Sequence, residues 1–212
     1  MTEKERAAQN LETIRSMMER ATVYRMISGP TALFAGLLAV VLPWIFPLFD
    51  GVKLSSDWKW VWFGVAGTII IFNTVLVIIK AKRERESIFS PGLRMGLRAI
   101  LPAMVIGFVI GLLQPQNFHP VTLAWIWMLC YGVALMATGS FAPRSLGWLG
   151  CAFVVAGLYH FRLWTSYDCG IEQGWTDIGD GLRVANMAMA KTFGIFHLIY
   201  GLYVTFIENK RS

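Results

Sequence analysis

The sequence predicts an all-α, polytopic integral membrane protein with six transmembrane helices and an amphipathic N-terminal helix. Its composition is 56% hydrophobic and 15% charged, which is more apolar than one globular core of 212 residues can bury. Six windows approach the roughly 20 apolar residues that a bilayer-spanning helix needs. Their apolar runs are continuous and do not alternate with a period of two, which argues against a membrane β-barrel. The windows are residues 30–49, 58–79, 96–113, 120–141, 144–164 and 184–207.

Residues 1–27 precede the first span and are predicted to form an amphipathic cytoplasmic or interfacial helix. Thr2 and Glu5 have the spacing of a capping box, and apolar residues then recur at steps of three and four. That apolar face can be buried against the membrane surface, a partner helix or the protein's own bundle. Five basic and four acidic residues weigh against strong attraction to anionic lipid. The face includes Leu11, Ile14 and Met18.

Residues 28–212 form the predicted six-helix transmembrane domain. Proline marks four of its six helix starts, where a missing backbone N–H has no consequence: Pro30, Pro91, Pro120 and Pro143. With the N-terminus inside, 14 of the 19 lysines and arginines fall in cytoplasmic segments. Both termini are therefore predicted to be cytoplasmic. This topology also explains the basic loop between the second and third spans, so no nucleic-acid partner is predicted.

Small residues in the spans predict close helix packing. Gly107 and Gly111 form a GxxxG pair in the third span, and Gly194 and Gly201 lie on one face of the sixth. Whether these faces meet within one chain or between copies stays open. An aromatic-glycine pair recurs in the second, fourth and sixth spans. Three tandem helical hairpins would produce that recurrence, and coincidence is the alternative because both residue types are frequent here.

Two histidines are candidate ligand residues. His197 shares a helical face with Asn186, Ala190, Gly194 and Gly201, which predicts a neutral imidazole buried against another helix and hydrogen-bonded across the interface. The alternatives are a metal or haem ligand and a proton-linked switch. His160, near the end of the fifth span, is the other candidate for haem. Its predicted depth differs from that of His197 by roughly 14 Å, which argues against one haem held by both.

The predicted outer loop, residues 165–183, is the most acidic segment outside the spans. It is either a solvated loop or short surface helix, or a site for a divalent cation with hard oxygen ligands. Its spacing matches no EF-hand. No cofactor is predicted, and haem or a divalent metal remains the alternative. The candidate metal ligands are Asp168, Glu172, Asp177 and Asp180.

Two segments carry a resemblance to other proteins. LETIRSMMERATVYRMISGPTALFAG, residues 11–36, and FGIFHLIYG, residues 193–201, resemble a group of uncharacterised bacterial multi-pass membrane proteins that share this amphipathic lead-in. The resemblance covers about a fifth of the chain. It implies the bacterial cytoplasmic membrane, carries no assigned biochemistry, and does not extend to the acidic outer loop.

The motifs that carry known chemistry are absent from the sequence. There is no HExxH, GxSxG or CxxC, and no Asp or Glu lies in the predicted hydrocarbon layer of any span. We therefore expect no catalytic residues, and a non-enzymatic protein that contacts membrane lipid. It is expected to act by association, as a homo-oligomer or as an accessory subunit of a bacterial membrane complex. The alternatives are a small-molecule or ion transporter or channel with a path near His197, and a metal- or haem-binding membrane enzyme subunit.

Overall fold

The computed structural model describes residues 2–13, 29–45, 55–84, 91–114, 119–139, 141–168 and 178–209. These residues are almost entirely helical, and no strand occurs among them. The helices are α1 (3–13), α2 (Gly29–Ile45), α3 (Ser55–Glu84), α4 (Pro91–Leu113), α5 (Pro120–Thr138), α6 (Arg144–Asp168), α7 (Ile178–Met189) and α8 (His197–Asn209). A π-helical segment, Ala190–Phe196, joins α7 to α8 without a break.

Five helical stretches are long and apolar enough to cross a bilayer, which makes the chain a multi-pass membrane protein. They are Asp57–Arg83, Gly92–Leu113, Pro120–Thr138, Arg144–Leu163 and Gly181–Phe206. The described part of the first predicted span is α2, which has 17 residues. A sixth span therefore stays a prediction.

The predicted spans and the observed helices differ most at their ends. Helix α3 runs to Glu84, beyond the predicted end at residue 79, because basic residues in its last turn suit the negative end of the helix dipole. The predicted outer loop at residues 165–183 is shorter than expected. Helix α6 continues to Asp168, and its extension includes a hydrogen bond from the Thr165 hydroxyl to the Arg162 carbonyl. Helix α7 already begins at Ile178.

Helix α1 begins with the capping box that the sequence predicts. The Thr2 backbone N–H donates to Glu5 Oε2 at 2.6 Å, and the Glu5 N–H donates to Thr2 Oγ1 at 3.4 Å. Leu11 on this helix is 67% exposed. Ile14 and Met18 lie outside the described residues, so the amphipathic lead-in stays a prediction.

Glycine brings two pairs of helices into close contact. At the α5–α6 crossing, a Cβ built on Gly132 would lie 2.8 Å from the Gly150 carbonyl oxygen, and one on Gly150 would lie 2.7 Å from the Gly132 oxygen. Helix α2 packs in the same way on the π-helical segment and α8, where a Cβ on Gly36 would lie 2.8 Å from the Gly194 oxygen. In both pairs a larger residue would collide with backbone, so helix separation depends on the glycines.

Helix α3 is less buried within the helix bundle than α5. Only 6% of its membrane-spanning window is buried, compared with 44% for α5. The buried part of α3 is its first turns, where Trp58 and Trp62 enter the core beside α5 and α7. Further along the helix, Ile70 and Ile71 are exposed. One end of α3 is therefore buried in the bundle. Further along, α3 contacts α2 through Phe72 and Asn73, and its other side is exposed.

Candidate functional site

A cavity of about 400 Å³ lies between α3 and α4, and we refer to it as the α3–α4 cleft. Its inner wall comes from α2, α5 and the π-helical segment. Lining residues on both flanking helices are exposed, including Ile70 of α3 and Val105 and Phe108 of α4. The cavity is thus open sideways between the two helices. In a membrane, this opening faces the bilayer hydrocarbon.

The cleft closes at the end where α3 begins and α4 ends, which we call the Lys59 end. There Phe63 packs on Phe108 with ring centroids 5.0 Å apart, and a Cβ on Gly111 would lie 2.8 Å from Phe63 Cζ. Lys59 Nζ donates to the Gln114 carbonyl oxygen at 3.3 Å. Among the described residues these contacts lie at one end of the helix pair, and the cleft is open further along.

A tyrosine–histidine pair provides the main polar contact at the inner wall. Tyr131 Oη lies 2.8 Å from His197 Nε2, and His197 Nδ1 lies 2.8 Å from the Phe193 carbonyl oxygen. A carbonyl only accepts, so Nδ1 carries the proton and donates. In a neutral imidazole Nε2 is then the acceptor, and the Tyr131 hydroxyl donates to it. The oxygen of Tyr131 keeps lone pairs that can accept a further hydrogen bond.

A charged imidazole does not suit this position. His197 is 8% exposed, and the rings of Tyr131, Phe153 and Phe193 surround it. No carboxylate pairs with it in the described part of the chain, and an unpaired buried charge costs several kcal/mol. The geometry agrees with the neutral, hydrogen-bonded imidazole that the sequence predicts.

The indole N–H groups of the lining are already satisfied by the protein. Trp127 Nε1 donates to the Gly107 carbonyl at 3.0 Å, and Trp62 Nε1 donates to Asn186 Oδ1 at 3.1 Å. Cys130 contributes a thiol beside Gly107. The remaining lining is alanine, valine, isoleucine, methionine and phenylalanine. Such a mostly apolar surface suits an apolar molecule, and both ring nitrogens of His197 are already hydrogen-bonded within the protein.

Asn186 holds the buried end of α3. The sequence places this residue on the buried face of the sixth span but does not indicate its partners. Asn186 Oδ1 accepts hydrogen bonds from both Trp58 Nε1, at 2.7 Å, and Trp62 Nε1, at 3.1 Å. Trp58 also stacks on Trp127, with ring centroids 5.6 Å apart. Trp58 lies near the end of a predicted span, where a tryptophan is ordinarily an interfacial anchor, but the structure buries it completely. Residues 128 positions apart carry no local signal of this pairing.

The π-helical segment positions His197 and was also not predicted. It spans Ala190–Phe196, directly before the histidine. Thr192 Oγ1 bonds back to the Ala188 carbonyl at 2.8 Å, and Gly194 lies against Val40 of α2. Such segments occur often at functional sites because they alter which side chains share a face. Here the face predicted for an uninterrupted α-helix, including Asn186 and His197, is nevertheless buried.

The other residues singled out in the sequence lie in different places. His160 does not line the cleft, and its ring packs beside Tyr159 on α6. Gly107 and Gly111 face α5 and Phe63 within the chain, and Gly194 and Gly201 face α2.

The four candidate metal ligands of the predicted outer loop lie only in part within the described residues. Asp168 is the last residue of α6 and Asp180 lies in the first turn of α7, while Glu172 and Asp177 lie outside the described residues. Within the described ranges, no group of three or more His, Cys, Asp or Glu side chains could hold a metal ion. The divalent-metal hypothesis for this loop therefore stays a prediction.

Comparison with known protein families, curated proteins and solved structures finds no match for this chain. The chemistry of the cleft must therefore be inferred from its own geometry.

Proposed function

We propose that this chain is a non-enzymatic multi-pass membrane protein that binds an amphiphilic, lipid-like molecule in the α3–α4 cleft. The observation that carries the proposal is an apolar cavity of about 400 Å³ that is open sideways and has one hydrogen-bonding pair on its inner wall. This volume lies at the small end of the range for ligand pockets. A hydrocarbon chain can enter such an opening without crossing the headgroup layer.

The position of the polar pair fits this occupant. Tyr131 lies eleven residues after the start of α5, which is roughly 16 Å along the helix and near the middle of a ~30 Å hydrocarbon layer. An ion at that depth requires charged or several free polar ligands, whereas the histidine and indole nitrogens of the lining are hydrogen-bonded within the protein. A chain that carries a hydroxyl or amide group can instead donate to Tyr131 Oη.

The test is lipid retention measured by native mass spectrometry of the full chain in detergent, with two matched variants of α3. Ala66 lines the cleft, so Ala66→Phe fills it. Gly64 lies on the same helix with no neighbouring residue within 4 Å, so Gly64→Phe adds the same ring outside the cleft. We expect Ala66→Phe to lose bound lipid by about tenfold and Gly64→Phe to retain it. Equal retention by both variants would show that the cleft is not the binding site.

Self-association is a second candidate function, and the surface of α3 supports it. Gly64 and Gly67 meet nothing within 4 Å, whereas Gly36, Gly107 and Gly132 contact neighbouring helices. Small residues on a lipid-facing helix permit a second helix to approach closely. We propose that a second copy packs here, making the protein a homo-oligomer in the membrane.

The same pair of variants tests this second proposal separately. Gly64→Phe is expected to shift the mass distribution from multiples of 23.8 kDa to the single chain, while Ala66→Phe leaves the oligomer intact. A wild-type protein that is monomeric after mild extraction, and that gives no crosslinked dimer in its own membrane, would contradict self-association.

A further inference from the structure

Lys59 is a buried lysine between α3 and α4. It is 9% exposed, and its one hydrogen bond goes to a neutral acceptor, the Gln114 carbonyl, at 3.3 Å. The Trp60 ring lies 6.0 Å from Nζ. No carboxylate pairs with Lys59 among the described residues. A buried ammonium is unfavourable unless an anion or several strong acceptors surround it.

A second unsatisfied donor lies on the residue that Lys59 contacts. Gln114 Nε2 is buried and has no hydrogen-bond partner in the described part of the chain. A buried amide N–H that lacks an acceptor costs about 1–3 kcal/mol. The Lys59 end of the cleft thus combines a cation and an amide donor that both need acceptors. An oxyanion would satisfy both groups at once.

The level of this pair in the membrane identifies the kind of oxyanion. Lys59 lies four residues after the start of α3, and Gln114 directly follows the last residue of α4. Trp60 beside it is 57% exposed, as expected for a ring in the headgroup layer. Phosphates of membrane lipids lie at this level. The cavity lining on α3 begins at Trp62, about one helical turn beyond Lys59, and continues to Ile70, roughly 12 Å further into the hydrocarbon layer.

We propose that an anionic membrane phospholipid binds along α3 and α4, with its phosphate at Lys59 Nζ and Gln114 Nε2. One acyl chain passes the Phe63–Phe108 contact on its exposed side and enters the cleft through the sideways opening. This inference rests on the proposed function and adds the headgroup to it. Lys59 and Gln114 select the lipid headgroup, and the apolar wall of the cleft holds the acyl chain. A zwitterionic headgroup binds less well because its own ammonium competes with Lys59 for the phosphate.

The experiment is a competition for the delipidated full chain between phosphatidylglycerol and phosphatidylcholine of identical acyl chains, read by native mass spectrometry. We expect the wild type to prefer phosphatidylglycerol by about tenfold. Lys59→Met, which keeps the apolar stem, is expected to abolish the preference while lipid stays bound. Lys59→Arg should keep it. Lys191→Met removes the same charge from an exposed position and should leave the preference unchanged.

The outcomes separate the headgroup proposal from the proposed function. Lipid bound with no preference in the wild type, or a preference unchanged in Lys59→Met, overturns the phosphate site and leaves the cleft intact. Lipid bound equally by the wild type and Ala66→Phe overturns the cleft itself. Oleate that binds while phosphatidylglycerol does not would overturn the phospholipid assignment, because a single-chain carboxylate would then be the ligand. A preference abolished by Gln114→Leu as well would support the two-donor site.

Discussion

Helices α5 and α6 and helices α3 and α4 show two ways of placing neighbouring helices in one bundle. The α5–α6 crossing is tight because Gly132 and Gly150 put backbone against backbone. Helices α3 and α4 meet mainly at the Lys59 end, through Phe63, Phe108 and Gly111. Below that contact, large side chains face each other across a cavity. The comparison separates a close-packed pair of helices from an open pair, and the proposed binding site lies between the open pair.

The largest effect is expected at the tight pair. Gly132→Leu places a side chain against the Gly150 carbonyl and Val154, so the helices must separate. We expect the free energy of unfolding to fall by about 3 kcal/mol. Reversible unfolding in mixed detergent micelles measures it. Gly96→Leu, on α4 where nothing lies within 4 Å, is the matched control and should change stability by less than about 0.5 kcal/mol. Equal losses of stability in the two variants would show that the α5–α6 and α3–α4 pairs do not differ in packing.

The next effect concerns how α3 is fixed to the bundle. Asn186→Leu keeps the approximate size of the side chain but removes the acceptor for Trp58 and Trp62. Two buried indole N–H groups then lack a partner, which should lower stability by about 2 kcal/mol. The same unfolding assay measures this change, together with a shift in tryptophan emission. Asn73→Leu, which removes one part-buried hydrogen bond to Thr31, should have less than half the effect.

A smaller effect is expected at the polar pair of the cleft. Tyr131→Phe leaves His197 Nε2 without its donor but keeps the ring contacts with Phe153 and Phe193. The expected loss of stability is about 1 kcal/mol. Tyr159→Phe changes an exposed hydroxyl and is the control. Ligands with a hydroxyl or amide should bind the Tyr131 variant less tightly, while saturated hydrocarbon chains should bind it equally well. A loss of affinity for the hydrocarbon chains alone would contradict a hydrogen bond from the ligand to Tyr131 Oη.

The last prediction concerns access to the cleft, measured as the rate at which a thiol reagent labels Cys130, and little change in stability is expected. The Cys130 thiol lines the cleft, whereas Cys151 does not. In a background with Cys151 and Cys169 replaced by alanine, an apolar maleimide should label Cys130 through the opening between α3 and α4. Ala66→Phe should slow labelling by about tenfold and Gly64→Phe should not. Unchanged labelling in Ala66→Phe would show that the thiol is reached by another route.

Sequence reasoning predicted some features of the site. The neutral, hydrogen-bonded state of His197 followed from its place on a face of small residues, and the structure provides Tyr131 and Phe193 as its partners. The identity of those partners could not be predicted, because Tyr131 is 66 positions away and no local pattern links the two.

For Lys59, the sequence indicates the side of the membrane but not the environment of the side chain. In the sequence it is one of five basic residues assigned to outer segments. Only the folded chain shows that it is buried between α3 and α4 and bonded to a neutral carbonyl. Trp58 is similar, since its position near a helix end predicts an interfacial ring, and long-range packing buries it instead.

The sequence by itself determined that the chain is helical and membrane-embedded, because backbone groups in hydrocarbon must be satisfied within each segment and continuous apolar length is a local property. It also determined four helix starts, through proline. The backbone contact between Gly132 and Gly150 was not among its predictions. The tertiary structure decided which helices meet, where the π-helical segment lies and that α3 and α4 enclose a cleft. These depend on contacts between distant residues, and the shapes of side chains from several helices must fit together before any one of them is fixed.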